Sequence, residues 1–291
     1  MNDRTTVLVT GADGFLGRHL VPYLAAQGYR IIAGSRTTLA FERPDIVTVR
    51  IPDLSIPFDW RPLLESCDAV VHLAGIAHKF ASDDIYDRVN RGATETLARS
   101  ASGQGKHLVF VSSIAAQSGP FSDHELTEDD PPRPNNAYGR SKLAAEETVR
   151  AAGGSFTILR PVVIYGGGEK GNFAIIHKIS HLPIPLPLGS LTAQRSILSA
   201  QNFCSAVAKV LADPRARGET YIVSDPSPLT VSEVIARDRS SRGRPSWLIP
   251  IPERLLELSL KAIGKGAVWE GIGCPLVARP RRLLALGWKP S

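Results

Sequence analysis

A glycine loop set between a strand-like run and a helix-like run, all within the first 28 residues, constrains this chain more than any other feature. Thr5-Thr-Val-Leu-Val-Thr10 is β-branched and apolar, the signature of a buried strand. Gly11-Ala-Asp-Gly14-Phe-Leu-Gly17 follows at once, and Arg18 to Gln27 reads as an amphipathic helix closed by Gly28. Glycine lets a backbone turn tightly and approach a ligand closely. The helix start behind it presents unpaired N–H groups and a positive dipole end, which suit a phosphate. The spacing is G-x-x-G-x-x-G, one residue wider at its first gap than the G-x-G-x-x-G of many dinucleotide-binding loops. Strand before and helix after turn a weak pattern into a specific one, and point to a dinucleotide bound to an α/β sheet.

The next strand-like run, Tyr29 to Ala33, leads into Gly34-Ser35-Arg36. A carboxylate about twenty residues past the loop would bind the ribose 2′-hydroxyl and repel a 2′-phosphate. No Asp or Glu lies between Gly28 and Phe41; Ser35 and Arg36 stand there, with Arg18 nearby. A guanidinium grips phosphate oxygens in two-pronged geometry, so the pattern favours NADP(H) over NAD(H). The competing reading has Arg36 as a solvated residue stacked on adenine, which NAD also permits.

Further along, Tyr138 and Lys142 stand four residues apart, and Ser113 precedes the tyrosine by twenty-five positions. Positions i and i+4 share a helix face, so an ammonium can sit beside the hydroxyl. A neighbouring cation favours the phenolate, and lowering a phenol from about 10 to about 7 takes roughly 4 kcal/mol. The expectation is a tyrosine tuned downward by its lysine, with Ser113 hydrogen-bonding the substrate oxygen. With 291 residues, 43% hydrophobic and 21% charged, the chain has ample core. Alternating strand and helix signals predict a parallel sheet covered on both faces.

Together these motifs resemble the extended short-chain dehydrogenase/reductase family, in its nucleotide-sugar epimerase, dehydratase and reductase branch, over nearly the whole chain. Gly11, Asp13, Gly14, Phe15, Leu16 and Gly17 match the cofactor loop, and Asp53-Leu54 the adenine contact after the third strand. Val70-Val-His-Leu73-Ala74-Gly75 matches the fourth-strand motif on the nicotinamide-ribose side. Asn90, within Val89 to Leu97, matches the asparagine that supports the active-site hydrogen bonds. Phe110-Val-Ser112-Ser113 matches the fifth-strand motif, and Leu159-Arg-Pro161 with Val163-Ile-Tyr-Gly166 the crossing to the substrate region. By resemblance, Tyr138 is the general acid/base, Lys142 holds cofactor ribose and tunes the tyrosine, and Ser113 orients the substrate oxygen. Ser112, otherwise a cofactor contact with Pro161, takes the serine role if the register shifts by one. The implied architecture is a Rossmann-type doubly wound parallel sheet with a smaller, discontinuous C-terminal substrate-binding region. Residues 1–165 with about 202–225 form the dinucleotide-binding part, and about 166–201 with 226–291 the cap. Asn202 to Leu211 reads as a helix and Thr220 to Ser224 as a strand returning to the sheet.

In the second half, Lys170-Gly-Asn172-Phe, Leu182 to Gly189 and Gln194 to Asn202 resemble the branch's substrate segments. There Asn172 and Arg195 would contact the nucleotide diphosphate, Leu186 would lie along the nucleobase, and His78 would face substrate. Arg195 has the charge and donors for a diphosphate. Plainer readings make it a surface ion-pair partner and Asn172 a helix cap. These segments look most like bacterial surface-polysaccharide enzymes that reduce a UDP-linked 4-keto-6-deoxy-amino-sugar. Such enzymes are often labelled UDP-glucose 4-epimerase. The chain departs from the branch at Asn202 and Ala278, where acids are common, and it stops at Ser291 without the further helix of many relatives.

A net charge of +6 suits an anionic dinucleotide and a nucleotide sugar. Arg237, Arg239, Arg242 and Arg244 lack interleaved aromatics, which argues for a solvated loop rather than nucleic-acid binding. Pro252 to Ile263 is too short and charged to span a bilayer, so no integral membrane segment is expected; it reads as a packed cap helix in preference to a membrane-lying one. The N-terminus is polar until Val7, without a secretory pattern. Cys67, Cys204 and Cys274 are odd in number and lack metal spacing, as reduced cytoplasmic thiols would be; no metal is expected. His72 reads as a packed core histidine, and Asn135 or Asn136 as the cap of the Tyr138 helix. The family also implies a homodimer through the helices after the fourth and fifth strands.

Three functions are compatible with these residues. An NADPH-dependent reductase of a 4-keto nucleotide sugar fits Ser35, Arg36 and the substrate segments best. A 4-epimerase with retained NAD uses the same tyrosine and returns its hydride. A non-catalytic dinucleotide sensor or scaffold would not need both Tyr138 and Lys142. A dehydratase would place an Asp-Glu pair where Ile114-Ala115 stand.

Overall fold

The computed structural model describes residues 4–37, 39–76, 82–168 and 172–291. The first half alternates strand and helix: β1 (Thr6–Thr10), α1 (Phe15–Ala26), β2 (Arg30–Ser35), β3 (Ile46–Arg50), α2 (Arg61–Glu65) and β4 (Ala69–His72). Next come α3 (Asp83–Tyr86), a π-helical stretch (Asp87–Gly92), α4 (Ala93–Gly103), β5 (His107–Val111), α5 (Ala137–Ala151) and β6 (Phe156–Pro161). The second half holds β7 (Val163–Tyr165), α6 (Asn172–Ser180), β8 (Gln194–Arg195), β9 (Ile197–Ser199), α7 (Ala200–Ala212), β10 (Thr220–Val223) and β11 (Leu229–Thr230). It closes with α8 (Val231–Ser240), α9 (Glu253–Ala262), α10 (Gly266–Ile272) and α11 (Arg281–Ala285).

Seven strands form one parallel sheet in the order β10-β6-β5-β4-β1-β2-β3. The chain winds outward from β1 to β3, then returns to β4 on the other side of β1. That reversal opens a crevice beyond the carboxyl ends of β1 and β4, where doubly wound sheets bind ligands. The strands are apolar on both faces because helices cover both. Leu20 and Leu24 of α1 and Phe203 and Val207 of α7 belong to one core, Leu97 of α4 and Ala145 and Val149 of α5 to the other. A third cluster, with Leu186, Leu191, Ile235 and Trp269, sits within the C-terminal half.

The doubly wound sheet expected from sequence is observed, with local shifts. α1 starts at Phe15, so the last glycine of the loop lies inside its first turn, and β2 runs on through Ser35. The arginine run is a solvated loop only in part. Arg242 and Arg244 lie exposed in the turn and loop beyond α8, whereas Arg237 and Arg239 lie in α8 and Arg239 is 1% exposed. Its guanidinium donates to the carbonyls of Ser180, Leu182, Ile184 and Ser246 at 2.7–3.0 Å. Five N–H donors match the unpaired carbonyls of an irregular segment, which a charge count along the sequence does not reveal. Among the described residues no helix is long and apolar enough to cross a membrane.

Candidate active site

The glycine loop closes over the carboxyl end of β1. Gly11 has φ +71°, and a Cβ there would lie 2.9 Å from the Ala74 backbone nitrogen. A Cβ at Gly17 would collide with the Gly11 carbonyl and the Ala12 backbone. Gly14 caps α1 without a side chain, so the first N–H groups of the helix are left for an anion. A tight backbone cradle at a helix N-terminus fits a dinucleotide pyrophosphate.

Ser35, at the end of β2, is 3% exposed, and its hydroxyl accepts from the Thr37 N–H at 3.0 Å. Thr37 reaches Asp13 Oδ2 at 3.4 Å, a contact the sequence reading missed. Arg36 is exposed and lies 3.6 Å from Asp53 Oδ2. The Ser55 N–H and then Arg36 hold Asp53 below the usual carboxylate range. Leu54 is half-buried against the core beside it. The guanidinium expected to meet a 2′-phosphate therefore already has a carboxylate neighbour.

Ser113 follows β5 and caps a short 3₁₀ turn, accepting from the Ala115 N–H at 3.2 Å. Asn136 caps α5 by accepting from Gly139 N–H at 2.7 Å, which places Tyr138 in the first turn. Ser113 hydrogen-bonds Tyr138 and pulls its pKa down, but burial of the hydroxyl dominates and pushes it up to about 12. Tyr138 as a residue is partly exposed; its hydroxyl is the part enclosed. The expectation of a tyrosine tuned downward by lysine is thus not met in the free protein. Lys142 donates instead to the Val111 carbonyl at 3.0 Å, with its ammonium 4.9 Å from the Phe110 ring centre. Burial lowers Lys142 to about 8, and Glu146 opposes that shift.

Behind this pair lies a network that sequence reasoning missed. Glu146, fully buried one turn beyond Lys142, accepts from Ser112 at 2.7 Å and from Arg160 at 2.9 and 2.6 Å. Arg150 adds a bond at 3.1 Å, and Arg160 also reaches Gln117 Oε1 at 3.0 Å. Ser112 thus turns away from Tyr138, and Ser113 holds the active-site position. Successive strand residues face opposite ways, and a carboxylate behind the sheet decides which serine faces the cleft. The i+4 spacing from Lys142 to Glu146 was the available signal.

Asn90 sits in the π-helical stretch, a deviation frequent at functional sites. Its side chain accepts from Ile76 N–H at 2.8 Å and donates to Ser141 at 2.9 Å, tying the end of the β4 segment to α5. Lys142 Nζ lies 3.6 Å from where a Cβ on Gly75 would be. Leu73 and Ala74 are half-buried between these groups, and Pro161 is buried at the end of β6. Tyr86, also missed, packs with its ring centre 6.2 Å from that of Tyr138. His72 is fully buried, bonded to Thr10 at 2.7 Å, and burial lowers it to about 3.

The predicted substrate residues are less gathered. Arg195 donates to the carbonyls of Pro120 (2.9 Å), Glu270 (3.2 Å) and Cys274, and burial lowers it to about 10. Neither a carboxylate nor open solvent is what holds it. Leu186 is 5% exposed inside the third core. Asn172 opens α6, while His78 lies outside the described residues. Asn202, in the place where an acid was expected, donates to Asp225 at 2.7 Å and accepts from the Ser291 N–H at 2.9 Å. One His177–His181–Asp238 group brings a ligand atom from each within 4.8 Å. The Arg242 guanidinium already lies 3.0 Å from Asp238 and 3.4 Å from His177, filling the cationic position.

Residues 7–224 match the NAD dependent epimerase/dehydratase family. A UDP-glucose 4-epimerase of Vibrio cholerae is 29% identical over 298 residues, covering 98% of this chain and 90% of that protein. A ceramide reductase of Caulobacter vibrioides (strain NA1000 / CB15N) is 32% identical over 211 residues, 72% of this chain and 61% of that protein. The structure of MoeE5 in complex with UDP-glucose and NAD has a TM-score of 0.78 at 24% identity, covering 98% of this chain and 93% of that one. That likeness shows the fold. A dinucleotide cradle, a serine–tyrosine–lysine cleft and a doubly wound sheet define an NAD(P)-dependent oxidoreductase. The chain belongs to the NAD dependent epimerase/dehydratase family, within the extended short-chain dehydrogenases/reductases.

Proposed function

We propose that this enzyme reduces the 4-keto group of a nucleotide-activated sugar, a UDP-linked 4-keto-6-deoxy-amino-sugar, with NADPH. The observation that carries this reading is the end of β2, where buried Ser35 and exposed Arg36 stand and no Asp or Glu lies between Gly28 and Phe41, a pattern that suits the 2′-phosphate of a consumable NADPH. Tyr138, bonded to Ser113, is the proton donor that a ketone reduction needs.

A bound reduced nicotinamide would supply the hydride for the carbonyl carbon. Ser113 polarises the ketone oxygen by hydrogen bonding, and Tyr138 Oη gives that oxygen its proton as negative charge develops. Lys142, charged below about 8, stabilises the phenolate left behind, which regains a proton from solvent. Gly11, Gly14 and Gly17 hold the pyrophosphate, Asn90 fixes the fourth-strand loop, and Arg36 takes the 2′-phosphate. The cap segments, about 166–201 and 226–291, enclose the nucleotide sugar.

A 4-epimerase with retained NAD is the second reading, favoured by the relative from Vibrio cholerae that aligns across 98% of the chain. The test is cofactor identity and consumption. Dinucleotide released from purified protein is identified by mass, and NADPH absorbance is followed with the keto sugar. Stoichiometric NADPH loss supports the reductase. Tightly held NAD, no net consumption and C4 inversion of a UDP-hexose would establish the epimerase.

A further inference from the structure

The guanidinium of Arg195, expected from sequence to meet a diphosphate, instead joins two backbone segments that lie far from it and from each other along the chain. Pro120 comes 75 positions before it, Glu270 and Cys274 come 75 and 79 after it, and all three accept through their carbonyls. Glu270 belongs to the last turn of α10, where carbonyls lack intrahelical partners and the helix dipole favours a cation. A planar fork of N–H donors satisfies several carbonyls at fixed angles, which a lysine's point charge does not.

Beyond Cys274 the C-terminal segment runs between the β5–α5 loop and β8. On the loop side the Ser122 N–H donates to the Pro275 carbonyl at 2.9 Å and the Leu126 N–H to that of Val277 at 2.8 Å. On the other side the Leu276 N–H donates to the Gln194 carbonyl at 3.0 Å, and the Ser196 N–H to that of Leu276 at 2.8 Å. Among the loop residues bonded across this seam, Pro120 stands nearest in sequence to Ser113. Its neighbour Gly119 lies so close to Asn135, the residue before the α5 cap Asn136, that no Cβ fits between them. Gly139, in the first turn of α5, lies as close to the Ala115 carbonyl, inside the 3₁₀ turn that Ser113 caps. The loop at Pro120 is thus packed directly on the start of the Tyr138 helix, and that helix on the turn beside Ser113.

We infer that Arg195 is a positioning residue: it clasps the C-terminal segment to the loop behind Ser113, and through that loop holds Ser113 and Tyr138 in their working geometry. It acts through backbone carbonyls and not on the diphosphate of the nucleotide. The inference rests on Ser113 and Tyr138 being the reacting pair.

Arg195→Met and Arg195→Lys in the full chain test it, the second because lysine keeps the charge a diphosphate needs and loses the fork that spans the carbonyls. Hydrogen exchange followed by mass spectrometry should quicken at least about tenfold in peptides covering 118–126 and 270–278 of both variants, with β1 and β4 unchanged. In both, kcat for the keto sugar should fall at least about tenfold with little change in KM, because the reacting groups are misplaced rather than the substrate released. The ratio of UDP to uridine affinity, by isothermal titration, should stay at its wild-type value. If Arg195→Met does not fold, Arg195→Lys carries the test alone. A wild type that does not reduce the keto sugar counts against the catalytic reading, while exchange and the affinity ratio still decide whether Arg195 is a clasp. UDP affinity lost in Arg195→Met with uridine affinity kept, and restored in Arg195→Lys, overturns the inference and makes Arg195 a diphosphate ligand. Unchanged exchange in both variants overturns it, as does quickened exchange with wild-type kcat, which would make the clasp structural only.

Discussion

Lys142→Met should make this protein more stable at neutral pH and at the same time inactive. The reasoning starts from burial: Lys142 is 5% exposed and its pKa falls from 10.5 to about 8. A difference of about 2.5 units corresponds to about 3 kcal/mol disfavouring the charged lysine in the fold. The sign follows from proton counting. Between pH 8 and 10.5 the unfolded chain holds a proton on this lysine that the folded chain has released, so stability rises with pH there. Below about pH 8 both states are charged and the folded state carries the whole penalty.

Methionine has similar length and no charge, so it escapes the penalty at every pH. Against this stand the lost bond to Val111, about 1–2 kcal/mol, and the contact with Phe110, about 0.5–1 kcal/mol. The net gain at pH 7 is therefore about 1 kcal/mol. The firmer quantity is the pH dependence: between pH 7 and 9.5 the wild type should gain on the variant by about 2 kcal/mol. Urea unfolding followed by circular dichroism at both pH values measures this, below the range where tyrosines titrate. Turnover should fall by at least about a hundredfold, since the phenolate loses its cation. Stability gaps that stay equal within about 0.5 kcal/mol across that pH range would refute the argument.

Other residues give equally direct tests. Tyr138→Phe should retain dinucleotide binding in a fluorescence titration and lose turnover; residual activity above about one per cent would displace Tyr138 from its role. Asp53→Ala frees the Arg36 guanidinium and should raise the NADPH-to-NADH ratio of kcat/KM by about tenfold, whereas Arg36→Ala should lower it by a similar factor. His72 and His107, lowered by burial to about 3 and about 4, stay neutral in the fold while the unfolded chain protonates near 6.5. Their contribution is complete above pH 6.5 and is lost as pH falls, so at pH 4 His72→Phe should have lost about 3 kcal/mol less than wild type in acid unfolding. Gly17→Ala should weaken dinucleotide affinity at least tenfold by isothermal titration, because its methyl group meets the backbone of Gly11 and Ala12 rather than a movable side chain.

What the sequence disclosed and what it concealed divide along contact range. The strand–glycine–helix unit, the serine on β5 and the tyrosine and lysine on α5 were legible because each is encoded within one element or by fixed spacing. The charge neighbour of Arg36 was not: Asp53 comes beside it only because β3 pairs with β2 in a register that ends both strands together. Arg239 was misread for the same reason. It looks like surface charge along the chain, and only the third dimension supplies the carbonyls that enclose it; the carbonyls around Arg195 were equally invisible.

The state of Tyr138 depends on that same long-range geometry. A lysine four residues on argued for a lowered phenol, yet Lys142 points its ammonium to the Val111 carbonyl with Glu146 one turn behind it. Glu146 in turn is held by Ser112 and Arg160, from the ends of two neighbouring strands. The buried carboxylate thus keeps one serine out of the cleft and favours the charged form of the lysine. The phenol, bonded to Ser113 and shielded from water, keeps its proton. In the absence of ligand, burial and the nearby Tyr86 hold the phenol above its ordinary range while the bond to Ser113 pulls it down, and the spacing of tyrosine and lysine along the helix shows none of these.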